Sequence, residues 1–112
     1  MIDNNFIPVI PEKDDHFLRK LIDKIGLEAE PVIVKIMPSP EARISECFPN
    51  VDYKVDQDGG VRVIGWQIWK TKNLIEAEFH SVWKTDEKEL VDITPRIVPL
   101  TEILFIEDCN RP

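Results

Sequence analysis

After the Gly59-Gly60 pair the chain passes through three apolar or aromatic segments, residues 61–70, 74–84 and 89–94, with only short polar stretches between them. Connectors as short as Thr71-Lys72-Asn73 and Thr85-Asp86-Glu87-Lys88 leave room for a reversal and little else, so these segments are predicted to be strands joined as hairpins. Residues 103–106 are a further strand candidate. Upstream the period changes. Phe17, Leu18, Leu21, Ile22 and Ile25 fall on one stripe of a helix over residues 14–25. Asp14 and Asp15 stand where they can cap it and favour its dipole, and Gly26 is placed to stop it. The β-branched run 32–37, bounded by Pro31 and Pro38, reads as a strand, and residues 38–43 as a loop.

Residues 47–55 are the ambiguous piece. Phe48, Val51 and Val55 recur at helical spacing, and Pro49 is tolerated in a first turn because its missing N–H has no intrahelical role there. Ser45 or Glu46 stands near the cap. The β-branched content argues the other way. The reading is a helix from Cys47 to Val55 that the glycines terminate. With residues 1–11 as an extended lead-in, the order is helix, strand, helix, antiparallel meander. That order predicts a single α+β domain over residues 1–112, with a Cys-bearing helix packed on a small antiparallel sheet of three or four strands.

Composition narrows the function classes. The chain has 21 acidic and 14 basic residues, a net charge of −7, and no basic run. Phosphate neutralisation needs clustered Lys and Arg, so nucleic acid and anionic membrane surfaces are not expected partners. No apolar stretch approaches the ~20 residues that span a bilayer, and the first residues lack the basic-then-apolar order of a secretory signal. Cys47 and Cys109 are the two cysteines, too few for a secreted disulfide scaffold. Free thiols in the cytoplasm are the expectation, although a single disulfide between them is compatible with the sequence.

Cys47, His80 and Asp92 are the candidate chemistry. If the second hairpin turns near Asp86, His80 and Asp92 face each other across it, where Cβ atoms lie roughly 4.5–5.5 Å apart. A carboxylate there holds one imidazole nitrogen and selects the tautomer. A slip of one residue would send Asp92 to the other face. A cysteine at a helix N-terminus gains from unpaired N–H groups and the dipole, both of which favour the thiolate. Cys, His and a carboxylate suffice for nucleophilic acyl transfer: Cys47 attacks, His80 moves the proton, Asp92 orients the ring. This chemistry calls for no cofactor and no metal.

The run His80-Ser-Val-Trp83 followed by Leu90-Val-Asp92-Ile-Thr-Pro95 resembles the His and Asp strands of the transglutaminase-like, papain-like superfamily of cysteine enzymes. The order helix-Cys, strand-His, strand-Asp is also similar. The resemblance covers roughly residues 45–95, and it implies a papain/transglutaminase-like core with Cys47, His80 and Asp92 as its triad. A closer resemblance is to an uncharacterised bacterial family sometimes labelled a SecC-type zinc chelation protein. It rests on Cys47-x-x-Asn50-Val51, Gly59-Gly60, Gly65-Trp66-x-Ile68-Trp69, Ile75-Glu-Ala-Glu-Phe-His80, Val91-Asp-Ile-Thr-Pro95 and Ile103-Leu-Phe-Ile106. The label reflects metal-binding tails fused to some members, and no Cys/His-rich tail of that kind is present in this sequence. Members often continue past the position of Pro112, so the resemblance implies a short member or a chain that ends early. The Cys47 segment departs from the Gly-x-Cys pattern of many transglutaminase-like enzymes, and no Gln precedes Cys47 to receive an oxyanion.

Gln67 and Asn50 are the substitutes for that missing donor, Trp66 is a candidate cleft wall, and Glu78, alternating with Glu76 and His80 on one strand face, is a candidate third polar group. Each has a plainer role beside it: Trp66, Trp69 and Trp83 as packing, Asn50 as a partner of local backbone, Glu78 as a solvated charge, Cys47 as a buried apolar side chain. Residues 38–45 and 94–101 are expected to form opposite walls of an open groove suited to a peptide or protein amide. The acidic surface favours neutral or basic partners. Two other classes stand beside the enzyme: a protein-interaction module without catalysis, and a zinc site using Cys47, His80, Asp92 and Cys109. Nothing in the pattern sets an oligomeric state.

Overall fold

Asp15 opens the first helix, α1 (His16–Ile25), through its carboxylate, which accepts the backbone N–H groups of Phe17 and Leu18. Capping of this kind is worth about 1 kcal/mol. Gly26, at φ 82°, closes the helix in the left-handed conformation that glycine adopts without strain. The computed structural model describes residues 9–71, 74–98 and 100–110.

The strand β1 (Val32–Ile36) follows, then helix α2 (Cys47–Asp58), then the long hairpin of β2 (Val61–Thr71) and β3 (Leu74–Lys84). The short β4 (Leu90–Asp92) and β5 (Glu102–Glu107) complete the set. The architecture is α+β. The expected helix on residues 47–55 is present and runs a further three residues, to Asp58, before Gly59 ends it. Of the expected connector Thr71-Lys72-Asn73, Lys72 and Asn73 lie outside the described residues, as do residues 1–8 of the lead-in. Val9 exchanges backbone hydrogen bonds with Lys70, so the lead-in joins the sheet beside β2.

The sheet departs from the expected three or four antiparallel strands. It is a closed barrel in the order β1-β4-β3-β2-β5, with β1 antiparallel to β5 and parallel to β4. The physical reason is the edge of the meander. β4 pairs with β3 only at Trp83↔Val91 and Lys84↔Leu90, and its other side takes β1 at Lys35↔Val91 and Ile36↔Asp92. Closure gives each strand a neighbour on both sides.

Alternation then sorts the side chains. Val34, Val63, Trp69, Val82, Ile103 and Phe105 point inward and form the barrel core. The outer face of β2 and β5 presents Ile68, Leu104 and Ile106 to Leu18 and Ile22 of α1. The outer face of β3 and β4 presents Trp83 and Val91, with Ile93, to Val51 and Val55 of α2. Gly60 is required where α2 returns to the sheet: at φ 77°, its Cβ would stand 2.2 Å from the Lys84 carbonyl oxygen and 2.7 Å from the Trp83 indole nitrogen. Among the described residues no helix is long and apolar enough to cross a membrane.

Candidate active site

The second hairpin places the imidazole. Its turn is one residue longer than the connector suggests. Thr85 N–H donates to the Glu89 carbonyl, the Thr85 hydroxyl accepts the N–H groups of Glu87 and Glu89, and Lys88 takes φ 70°. The register therefore differs from the expected one by two residues. Continuing it from Trp83↔Val91 sets Asp92 beside Val82 rather than opposite His80. A two-residue offset preserves the face, because side chains alternate with period two. His80 and Asp92 both point into the barrel and meet diagonally, Nε2 to Oδ2 at 3.1 Å.

Cys47 approaches from outside. It is the first residue of α2, which packs on the outer surface of β3 and β4. Its thiol lies near enough to the His80 ring and the Ser81 backbone N–H for both to act on its ionisation. Both cysteines are free thiols, Cys47 half-buried and Cys109 exposed. Ser45, two residues before Cys47, has φ 63°, a left-handed conformation costing a non-glycine residue about 1 kcal/mol.

The electrostatics follow from these contacts. Burial opposes ionisation of Cys47, but the His80 ring and the Ser81 N–H outweigh it and hold the thiol below its ordinary value. Burial likewise opposes a charge on His80, yet Asp92 and Cys47 push it up to about 9. Asp92, despite burial, is held below the usual carboxylate range by His80 and Arg96. Its Oδ1 accepts the Thr94 N–H, and its Oδ2 is shared by His80 and Arg96. All three shifts favour the charged forms: thiolate, imidazolium, carboxylate.

The remaining candidates are placed as follows. Asn50 is buried and its amide is spent on structure: Oδ1 accepts the Arg43 N–H, and Nδ2 donates to the Arg43 carbonyl and to Thr94 Oγ1. Gln67 lies inside the barrel, its Nε2 donating to Glu78 Oε1 at 2.7 Å and its Oε1 accepting from Arg96 at 2.6 Å. Its amide is directed at Glu78 and Arg96. Trp66 stands on the outer face in a surface strip of rings, 5.2 Å from Phe79, which is 5.5 Å from Phe48. Its indole N–H donates to Asp108.

Two groups escaped the sequence reading. Arg96 follows Pro95 in an irregular segment, where a spacing of four from Asp92 implies no contact, and only the barrel brings it to Asp92 and Gln67. The Ser81 N–H is a backbone group with no sequence signature. The expected opposite walls also take another form. Ser39 N–H bonds the Ile93 carbonyl, and Asn50 ties Arg43 to Thr94, so residues 38–45 and the start of the 94–101 segment lie together on one side. Pro99 lies outside the described residues. A pocket of about 300 Å³ opens between residues 39–43 and the α2 positions Pro49, Asn50 and Tyr53, adjoining Glu46 rather than Cys47. Among the described residues no three His, Cys, Asp or Glu side chains are grouped to hold a metal, and Cys109 is bonded to Glu107.

Compared with protein-family models, curated proteins and solved structures, the chain matches none of them.

Proposed function

We propose that this protein is a cysteine-dependent acyl-transfer enzyme acting on a peptide or protein amide, built on a papain/transglutaminase-like arrangement of helix and strands. The observation that carries this reading is a half-buried thiol at a helix start lying near a buried His–Asp pair whose ring favours its thiolate. Cys47 is the nucleophile, His80 the proton carrier and Asp92 the group that orients the ring. The Cys47 thiolate attacks the amide carbonyl and forms a C–S bond. The imidazolium gives its proton to the leaving nitrogen as the C–N bond breaks, leaving a thioester. Neutral His80 then takes a proton from water or an incoming amine, which displaces the sulfur as an acid or a new amide. His80 finally holds that proton opposite the regenerated thiolate.

The α2 start supports the same chemistry. The N–H groups of Cys47 and Phe48 precede the first intrahelical bond, Asn50 N–H to the Glu46 carbonyl, and such amides receive developing oxyanion charge. The test is incubation of wild type and Cys47→Ala with a peptide-amide library, read by mass. Cleavage, a one-dalton deamidation shift or amine incorporation, present in wild type and lost in the variant, supports the reading and names the reaction type. No mass change with any member sinks it.

A binding module without turnover is the second reading, favoured by the surface strip of Phe48, Phe79 and Trp66. It predicts that Cys47→Ala retains peptides from the same library that wild type also retains unchanged.

A further inference from the structure

Arg96 carries the most information not used by the three-residue scheme. Its Nη2 lies 2.6 Å from Asp92 Oδ2, 2.6 Å from Gln67 Oε1 and 3.4 Å from His80 Nε2. Its guanidinium carbon stands 5.6 Å from the Trp69 ring centroid, and its Nε is buried with no hydrogen-bond partner. A buried donor left unsatisfied is costly and calls for a reason. A plain structural ion pair would favour the two-pronged geometry in which two guanidinium nitrogens meet two carboxylate oxygens. Here the described bonds all converge on Nη2, and Asp92 keeps Oδ1 for the Thr94 N–H.

We propose that Arg96 is a positioning residue for the Cys47–His80–Asp92 triad, anchored by Gln67 so that it fixes the Asp92 carboxylate while its charge keeps His80 able to release its proton. The inference rests on the acyl-transfer reading. Acylation needs an imidazolium that donates, and deacylation needs a neutral imidazole that accepts. Cys47 on α2 and Asp92 on β4 both hold the proton on His80. Glu78, on the same strand face, is engaged by Gln67. Arg96 is the cation that opposes them, by direct repulsion of the imidazolium and by sharing the one carboxylate oxygen that His80 uses. When His80 donates its Nε2 proton to that oxygen, the 3.4 Å contact with Arg96 places two donors side by side, which is repulsive. Gln67 holds the cation in place because its own amide is oriented by Glu78, leaving Oε1 for the guanidinium.

The experiment uses the full chain carrying Cys109→Ser, so that Cys47 is the one thiol. His80 is titrated by NMR, and p-nitrophenyl acetate serves as a generic acyl donor. Arg96→Met is expected to raise the His80 midpoint by about one pH unit or more. It should retain the acylation burst and slow steady-state deacylation about tenfold near pH 7.5, whereas Arg96→Lys restores both toward wild type. Gln67→Leu, which frees the cation without removing it, should shift the midpoint the same way by less, and it decides the matter if Arg96→Met does not fold. An unmoved His80 midpoint in these variants, with the wild-type burst present, overturns the role of Arg96 alone. Absence of Cys47 acylation in wild type overturns the acyl-transfer reading and this role with it.

Discussion

His80 and Asp92 make their 3.1 Å contact from positions that are not opposite each other across the hairpin: the last ladder pairs, Lys84↔Leu90 and Trp83↔Val91, set Asp92 out of line with His80. Directly across from His80, on β2, is Gly65. The ring therefore has a glycine on one flank and a carboxylate on the other, and it is nearly sealed from solvent, at 3% exposure. A proton on Nε2 of a ring so held serves Asp92.

Thiol reactivity is the first consequence. Cys47 should react with iodoacetamide with a midpoint below the ordinary thiol value of ~8.5, and Cys109, raised by the neighbouring Glu107 carboxylate, above it. His80→Ala should move the Cys47 midpoint upward by about one unit or more while leaving that of Cys109 in place. Site-resolved mass spectrometry of the alkylated peptides across pH checks this. Equal midpoints for the two thiols in wild type would contradict the contact.

Stability against pH gives a second test, and its sign depends on both partners. His80 is raised from 6.5 to about 9, so its contribution is fully present below 6.5 and is lost as pH rises through about 9. Cys47 is depressed, so its contribution is present above the unfolded thiol value and is lost as pH falls through the folded one. As pH rises above about 6.5 the two act in opposite directions, His80 losing its contribution while Cys47 gains its own. Wild type should therefore vary less with pH in urea unfolding than the rise of His80 alone would make it. Cys47→Ala removes the opposing partner, and its stability should fall as pH rises. Parallel curves for the two proteins would count against the pair.

On the acid side two carboxylates are depressed, Asp15 by Lys70 and the first N–H groups of α1, and Asp92. The depressed value of Asp92 makes its contribution present above the unfolded carboxylate value of ~3.9 and lost as pH falls through the folded one. Asp92→Asn should lower stability at neutral pH, since His80 and Arg96 then lack their anion, and should flatten the loss between roughly pH 5 and 2. Thermal unfolding of both proteins at pH 7, 5, 4 and 3 measures the two slopes, and an unchanged acid slope would show that Asp92 is not one of the titrating groups.

Gly65 offers a test of the barrel itself. A Cβ there would lie 2.2 Å from the Ile106 carbonyl oxygen and 2.8 Å from Phe105 Cζ. The obstruction is backbone, so it cannot rotate away. Gly65→Ala should cost about 3 kcal/mol or more in urea unfolding, at the upper end of overpacking penalties. A cost below roughly 1 kcal/mol would mean that β2 and β5 do not approach as closely as described.

Asn50 joins three pieces of chain: α2, the Arg43 backbone and Thr94. Asn50→Ala should destabilise by about 2 kcal/mol, the cost of leaving buried partners unmet. It should also expose residues 38–45 to faster backbone hydrogen exchange. Exchange in that loop unchanged from wild type would remove the staple role.

Local structure was legible in the sequence because its causes are local. Asp15, the stripe from Phe17 to Ile25 and Gly26 specify α1 by capping and periodicity. Pro49 and the Gly59-Gly60 pair bracket α2, and alternation along β3 puts His80 on a face with Glu76 and Glu78. Even the pairing of His80 with Asp92 survives a wrong register, since an error of two residues leaves the face unchanged. What only the tertiary structure decided depends on contacts between segments far apart in the chain. The parallel seam of β1 with β4 closes the barrel, and no short-range pattern encodes a parallel neighbour. The ladder between β3 and β4 ends at Val91, and Cys47 comes near His80 beyond it. Arg96 acquires its partners because closure folds the segment after β4 back over the barrel interior. A side chain in irregular structure has no period to announce where it points, so its chemistry is set by the fold around it.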